Sequence, residues 1–323
     1  MKKFIILTVT AILMLLALVG CGCQDEIEYC DGNHVEEIMP SKAPTCQESG
    51  LTEGKKCAIC DDIIVAQEVV QKLSHVYNDT YKCQVCGETA KESQGLNFEL
   101  DATTNTYTFT GIGTCKDEDL VIPLTYEGLP VTKIKSYSLY NCISIKTLTL
   151  SKNITEIEDY SLCSCTFLVD ITVSTKNTAY KGVDGSLYTK DGKVLMQYAL
   201  GRDATSFEIP NGVEKIGACA FSSAQSLEKI VLANTVKTIG ISAFVNCHSL
   251  SLISLNNVEK IDDNAFYGCS SLENITIPKG VTEMGAWAFY GCDSIIIECK
   301  AESKPDGWDD TWNAGNRPVI WAE

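Results

Sequence analysis

Seven cysteines, Cys23, Cys30, Cys46, Cys57, Cys60, Cys83 and Cys86, lie close together before residue 90, with two of the chain's 3 histidines, His34 and His75. Cys57-x2-Cys60 and Cys83-x2-Cys86 have the spacing at which a tight knuckle presents two thiolates to one tetrahedral Zn2+. The 22 residues between the pairs slightly exceed what a simple zinc ribbon prefers, so a single four-cysteine site is one solution among several. Disulfides are the competing chemistry in an oxidising compartment. Either way the role is structural, because residues 30–92 hold few large apolar side chains and need metal or covalent staples to fold.

Catalytic signatures are missing from the rest of the chain. There is no Gly-x-Ser-x-Gly elbow, no phosphate-cradling glycine loop and no His-Glu-x-x-His. His248 follows Cys247 and suggests a dyad, but it aligns with Ile143, Thr166, Gln225, Ser270 and Asp293, a variable surface position. The expectation is a protein without enzymatic activity. A zinc-dependent extracellular hydrolase is the remote alternative.

The elements that must position any site come from a register of 22 to 23 residues that recurs six times. It reads Val131, Ile134, Leu139, Cys142, Ile145, then Ile154, Ile157, Leu162, Cys165, Leu168. After a gap follow Val213, Ile216, Phe221, Ala224, Leu227, then Val236, Ile239, Phe244, Cys247, Leu250. Val258, Ile261, Phe266, Cys269, Leu272 and Val281, Met284, Phe289, Cys292, Ile295 complete the series. Such a period marks a solenoid. One repeat's apolar side chains, each contributing roughly 1.5–3 kcal/mol on burial, cannot offset a backbone ordering cost of roughly 1–2 kcal/mol per residue. A unit therefore folds only against its neighbours.

Leu227-x2-Ile230-x-Leu232, Leu250-x2-Ile253-x-Leu255 and Leu272-x2-Ile275-x-Ile277, together with Gly-x2-Ala-Phe-x2-Cys as at Gly240–Cys247 and Gly285–Cys292, resemble the BspA-like, or treponemal-type, leucine-rich repeat over residues 120–299. The resemblance implies a β-rich α/β solenoid, a right-handed superhelix of six repeats with short strands joined by short helical or 3₁₀ turns. A small zinc-ribbon-like module precedes it. Leu139 and Leu162 stand where Phe is usual, and Ala224 replaces one Cys. The N-terminal segment resembles a module of Firmicute surface proteins that supplies one His and three Cys per unit. On that pattern His34, Cys46, Cys57 and Cys60 form one set, and His75, Cys83 and Cys86 a shortened second set that Cys30 could complete.

The 17 cysteines therefore divide into groups. Cys142, Cys165, Cys247, Cys269 and Cys292 share one repeat position and read as small buried apolar groups. Cys21 ends Leu18-Val19-Gly20-Cys21, which resembles a bacterial lipobox after the Lys2-Lys3 and apolar Phe4–Leu18 of an export signal. Residues 1–20 then read as a lipoprotein signal peptide, Cys21 as the lipidated N-terminus and 21–29 as an anchoring linker. The expected location is the outer face of the cell membrane, with the lipid as the sole membrane contact. A net charge of −16 argues against nucleic acid.

Asn97–Leu100 and Thr106–Thr110 read as a hairpin capping the first repeat within residues 95–130. Repeats follow over 131–299, interrupted by a hairpin insert at 178–206. Trp308, Trp312 and Trp321 mark a C-terminal cap at 300–323. Thr147, Thr149, Asp170, Thr172, Ser254, Asn274 and Thr276 alternate with core positions and form a candidate hydroxyl-rich binding face, although β-propensity alone accounts for exposed threonines. A long regular face is where repeat proteins bind partners. The expected function is adhesion to, or recognition of, an extracellular protein or glycan, with a non-adhesive envelope scaffold as the alternative.

Overall fold

A computed structural model of the protein describes residues 34–70, 72–73, 75–78 and 80–323, in two compact units. The described residues of the first are 34–43 together with Gly50–Val70. Its strand Gly54–Cys57 pairs antiparallel with both Glu36–Met39 and Ile63–Val65. Ile38, Ile63, Val65 and Val69 are exposed, and the buried apolar side chain among the described residues of this unit is that of Cys57. So small a sheet has almost no hydrophobic core of its own.

The second unit, Pro44–Ser49 with the chain after Val70, contains the solenoid. Each complete coil contributes two short strands to two separate parallel ladders. One ladder runs in parallel from Val194–Gln197 through Lys215–Ile216, Thr238–Ile239, Lys260–Ile261 and Glu283–Met284, and the insert strands Ser186–Thr189 and Tyr180–Val183 extend it by antiparallel pairing. The other consists of two successive parallel trios, Ser206–Glu208 with Lys229–Val231 and Leu252–Ser254, and Asn274–Ile277 with Ile296–Cys299 and Val319–Trp321. Ahead of the insert, Asp119–Val121, Thr147–Leu150 and Asp170–Val173 form a similar parallel trio. The hairpin Asn97–Asp101 with Thr106–Gly111 closes the N-terminal end, pairing in parallel with Leu129–Ile134 and burying Phe109 completely.

Helical connectors are the one architectural expectation that fails. No helix occurs among the described residues. The turns carry left-handed residues at two recurring positions, Cys219 and Ser223, Ser242 and Asn246, Asn264 and Gly268, Trp287 and Gly291. A left-handed residue interrupts an α-helical run of backbone angles. The amides freed in this way bond to the next coil: Cys219, Phe221 and Ser223 donate to the carbonyls of Ile241, Ala243 and Val245 at 2.8–3.0 Å. Ser242, Phe244 and Asn246 donate to Asp263, Ala265 and Tyr267 in the same way. Inter-coil hydrogen bonding satisfies here the groups that a helix would have satisfied internally.

Side chains repeat the logic inside. Phe221, Phe244, Phe266 and Phe289 stack face to face with centroids 5.1, 5.2 and 5.3 Å apart, extended by Tyr198 at one end and met edge-on by Trp312 at the other. The repeat cysteines do more than fill space. The thiols of Cys165, Cys247, Cys269 and Cys292 donate to the carbonyls of Leu139, Phe221, Phe244 and Phe266 in the preceding coil at 2.9–3.1 Å. Ala224 lacks that donor, and the corresponding carbonyl of Tyr198 is taken by the Gln197 side-chain amide at 3.0 Å. At the far end Trp308 Nε1 donates to Val281 O at 3.0 Å and seals the last coil with Trp312.

Phe244→Ala removes the middle of the stack. The expected loss is roughly 3–5 kcal/mol from the cavity left behind, measured by urea unfolding of the full chain.

Candidate functional site

Four of the candidate face residues, Thr147, Thr149, Asp170 and Thr172, lie on the parallel trio ahead of the insert, and Ser254, Asn274 and Thr276 on strands of the later coils. Thr147 pairs with Asp170 and Thr149 with Thr172, so the four form one patch. Thr149 and Thr172 are nevertheless only 5% and 7% exposed. Residues before the first coil run along this end of the face: Tyr81 Oη donates to Ile122 O at 2.7 Å, and Thr175 N to Tyr77 O at 3.3 Å. The insert approaches as well, with Ile171 N donating to Gly185 O at 2.9 Å. Thr172 lines a cavity of about 510 Å³ together with His75, Val85 and Lys181. The hydroxyls are engaged internally, Thr147 with Asp119 at 2.8 Å and Thr172 with Asp170 at 2.9 Å. Thr149 and Thr172 are thus covered while Thr147 and Asp170 stay partly exposed, because sequence alternation cannot report what packs across a strand face.

The later coils leave the face open. Ser254, Asn274 and Thr276 are exposed there, but they alternate with exposed aliphatic residues that the repeat pattern did not single out. Leu252 is 50% exposed and Ile320 56%, with Val231 and Ile296 beside them. Cross-strand register places Val231 next to Ser254, and Asn274 next to Ile296. Apolar residues at outward positions of Leu-x2-Ile-x-Leu were the signal in the sequence. The opposite ladder presents paired charges instead, Lys193 with Glu214, Lys237 with Glu259 and Lys260 with Glu283 at 2.7–2.9 Å.

Metal-ligating side chains converge at two places, one in each unit. In the first unit His34, Cys57 and Cys60 come together, with Cys60 Sγ 3.5 Å from His34 Nδ1. In the second, Cys46, His75, Cys83 and Cys86 place all four donor atoms within 4.8 Å of one another. This grouping differs from the one the module resemblance implied. Cys46 belongs with His75, Cys83 and Cys86, in the place given to Cys30, because the loop 44–49 folds with the later segment through Leu73 N to Thr45 O at 2.9 Å. Cys21 and Cys30 lie outside the described residues.

Burial and the neighbouring thiols of Cys86 and Cys83 push Cys46 up to about 11. Burial also acts to raise Cys83, but the backbone amide of Cys86, the His75 ring and the amides of Val85 and Val76 outweigh it and bring that thiol down to about 6. The repeat cysteines behave differently. Burial pushes Cys165 up to about 12 and Cys269 well above its ordinary range, so both stay protonated donors. Cys247 faces the core while His248 is exposed and meets Ser270 at 3.5 Å, which separates the two members of the suspected dyad.

Two parallel ladders, a stacked Phe column and a thiol-to-carbonyl column define a leucine-rich-repeat solenoid. The chain belongs to the BspA type leucine rich repeat family, whose pattern matches residues 106–182 and 198–304 in six copies, the break falling at the hairpin insert. No curated protein sequence matches it. Among solved structures, it is similar to the pneumococcal vaccine antigen PcpA (18% identity, TM-score 0.49, covering 61% of each chain). It is also similar to a leucine-rich repeat protein of Eubacterium ventriosum (26% identity, TM-score 0.41, covering 57% of this chain and 43% of that one). A third is a leucine rich cell surface protein of Faecalibacterium prausnitzii (21% identity, TM-score 0.38, covering 70% and 97%). The chain thus spans less than two thirds of the first two.

Burial separates the candidate face residues by outcome. Thr172→Lys places a charge among covered groups and is expected to destabilise by roughly 2–3 kcal/mol, whereas Thr276→Lys stays within about 0.5 kcal/mol of the parent. Urea unfolding of the two variants checks this.

Proposed function

We propose that the protein is a lipid-anchored cell-surface recognition scaffold, and that the open strand face of its later coils binds an extracellular protein. The observation that carries this reading is the row of exposed aliphatic side chains, Val231, Leu252, Ile296 and Ile320, set among Ser254, Asn274, Thr276 and Glu298. A row of exposed aliphatic groups rimmed by polar residues is the kind of surface that marks a protein interaction site. A glycan would draw less from aliphatic groups. Membership in a leucine-rich-repeat family without an associated reaction supports binding over catalysis, and the export signal ending at Cys21 supports the anchor.

Leu252→Asp combined with Ile296→Asp tests the face. Both side chains are exposed, so the melting temperature should stay put while affinity for a captured extracellular protein falls roughly tenfold or more, about 1.4 kcal/mol per decade. Unchanged affinity moves the site elsewhere. Binding to glycans alone on a mixed ligand array replaces the protein partner with a carbohydrate one, and failure to bind any surface ligand favours a non-adhesive envelope scaffold.

The anchor has its own readout. Cys21→Ser removes the acyl acceptor, and the variant is expected to be released into the medium and to lose incorporation of labelled fatty acid. Equal retention in the membrane fraction rejects lipidation at this residue.

A further inference from the structure

We propose that Cys46, His75, Cys83 and Cys86 are the four ligands of one structural zinc ion. Tetrahedral coordination with Zn–S of about 2.3 Å and Zn–N of about 2.0–2.1 Å requires S···S edges of about 3.8 Å and S···N edges of about 3.5–3.6 Å. The side chains already stand at such edges. Cys46 Sγ lies 4.0 Å from Cys83 Sγ, and Cys86 Sγ lies 3.5 Å from His75 Nδ1. Three thiols and one imidazole form a soft set that suits zinc over calcium or magnesium. Four protein donors leave no open position, so the role is structural.

The backbone around Cys83 has the shape of a metal knuckle. Gly87, at φ +77°, turns the chain so that its amide donates to Cys83 O at 2.9 Å, while Cys83 N donates to Glu88 O at 2.7 Å. The same arrangement recurs at Cys57, where Asp61, at φ +58°, donates to Cys57 O at 3.0 Å and Cys57 N donates to Asp62 O at 2.8 Å. Two segments of unlike sequence share one turn, and each turn presents a Cys-x2-Cys pair beside a histidine. An outer partner is in place as well. With Nδ1 of His75 facing the thiols, its Nε2 faces Glu88 Oε2 at 3.8 Å, the carboxylate–histidine arrangement that orients metal-bound imidazoles. The ring also stacks on Tyr77 at 5.3 Å.

This ion would fasten loop 44–49 to the segment 75–88, and that segment in turn to the first coils through the buried Tyr77 and Tyr81. Apart from Tyr77 and the thiol ligands themselves, the local cluster adds the partly buried Ala90 and little other apolar material. Metal binding is therefore a direct source of folding free energy for this end of the unit.

The test uses the full chain, purified without chelator from zinc-supplemented cells. Elemental analysis of the parent should exceed that of Cys83→Ser/Cys86→Ser by about one zinc per chain. Peptide-mapped alkylation should find Cys46, Cys83 and Cys86 protected together and released together by a chelator, a readout that does not require any variant to fold. In Cys46→Ser, Cys83 and Cys86 should become reactive while Cys57 and Cys60 keep their parental reactivity. Glu88→Gln should retain the metal but release it faster to a competing chelator. Equal zinc in parent and double variant, or Cys46, Cys83 and Cys86 recovered as disulfides, overturns the site. Loss of protection at Cys57 and Cys60 in Cys46→Ser overturns the ligand assignment.

Discussion

Stacking in register is the constraint on which this structure depends, because each coil leaves polar groups that only its neighbour can satisfy. The amides of Phe221, Phe244 and Phe266 all donate to the following coil, while the thiols of Cys247, Cys269 and Cys292 donate to the preceding one. The two columns run side by side with the Phe stack. A coil shifted by one residue would break all three at once, and buried unpaired amides and carbonyls are costly. Register is thereby locked more firmly than hydrophobic burial alone could lock it.

This also explains the form of the connectors. Left-handed residues at Ser242 and Asn246, and their counterparts in other coils, cost conformational energy in non-glycine positions. They turn amides outward along the solenoid axis, where a carbonyl of the next coil accepts them. Ala224 shows how strictly the polar accounting is kept, since Gln197 brings a side-chain amide to the carbonyl that the missing thiol would have bonded. The insert that supplies Gln197 is thus part of the stack as well as an interruption of it.

A surface built in this way is rigid, and its chemistry varies only at outward positions. On the ladder of two-residue strands those positions are occupied by lysine–glutamate pairs at the surface, which contribute little individually. On the other strand face Thr149 and Thr172 of the early coils are covered, and the later coils expose aliphatic groups among hydroxyls. The proposed zinc site fits the same economy. Residues 44–49 and 72–92 have little apolar content to hold their place against the first coils, and the proposed four-ligand ion would supply the missing constraint.

Repeat register, the core positions and the Phe and Cys columns were legible in the chain because a period of 22 to 23 residues writes each inward side chain several times over. The convergence of each Cys-x2-Cys pair was equally legible, since its geometry is local. What the chain could not disclose were facts about partners distant in sequence. Cys46 stands closer in sequence to Cys57 than to Cys83, yet folds with the latter. Thr149 and Thr172 alternate correctly for an outward face but are covered. The family resemblance implied short helical connectors, whereas the chain makes left-handed turns whose amides bond to carbonyls of the next coil. Local pattern determines which way a side chain leaves its strand; tertiary structure decides what it meets there.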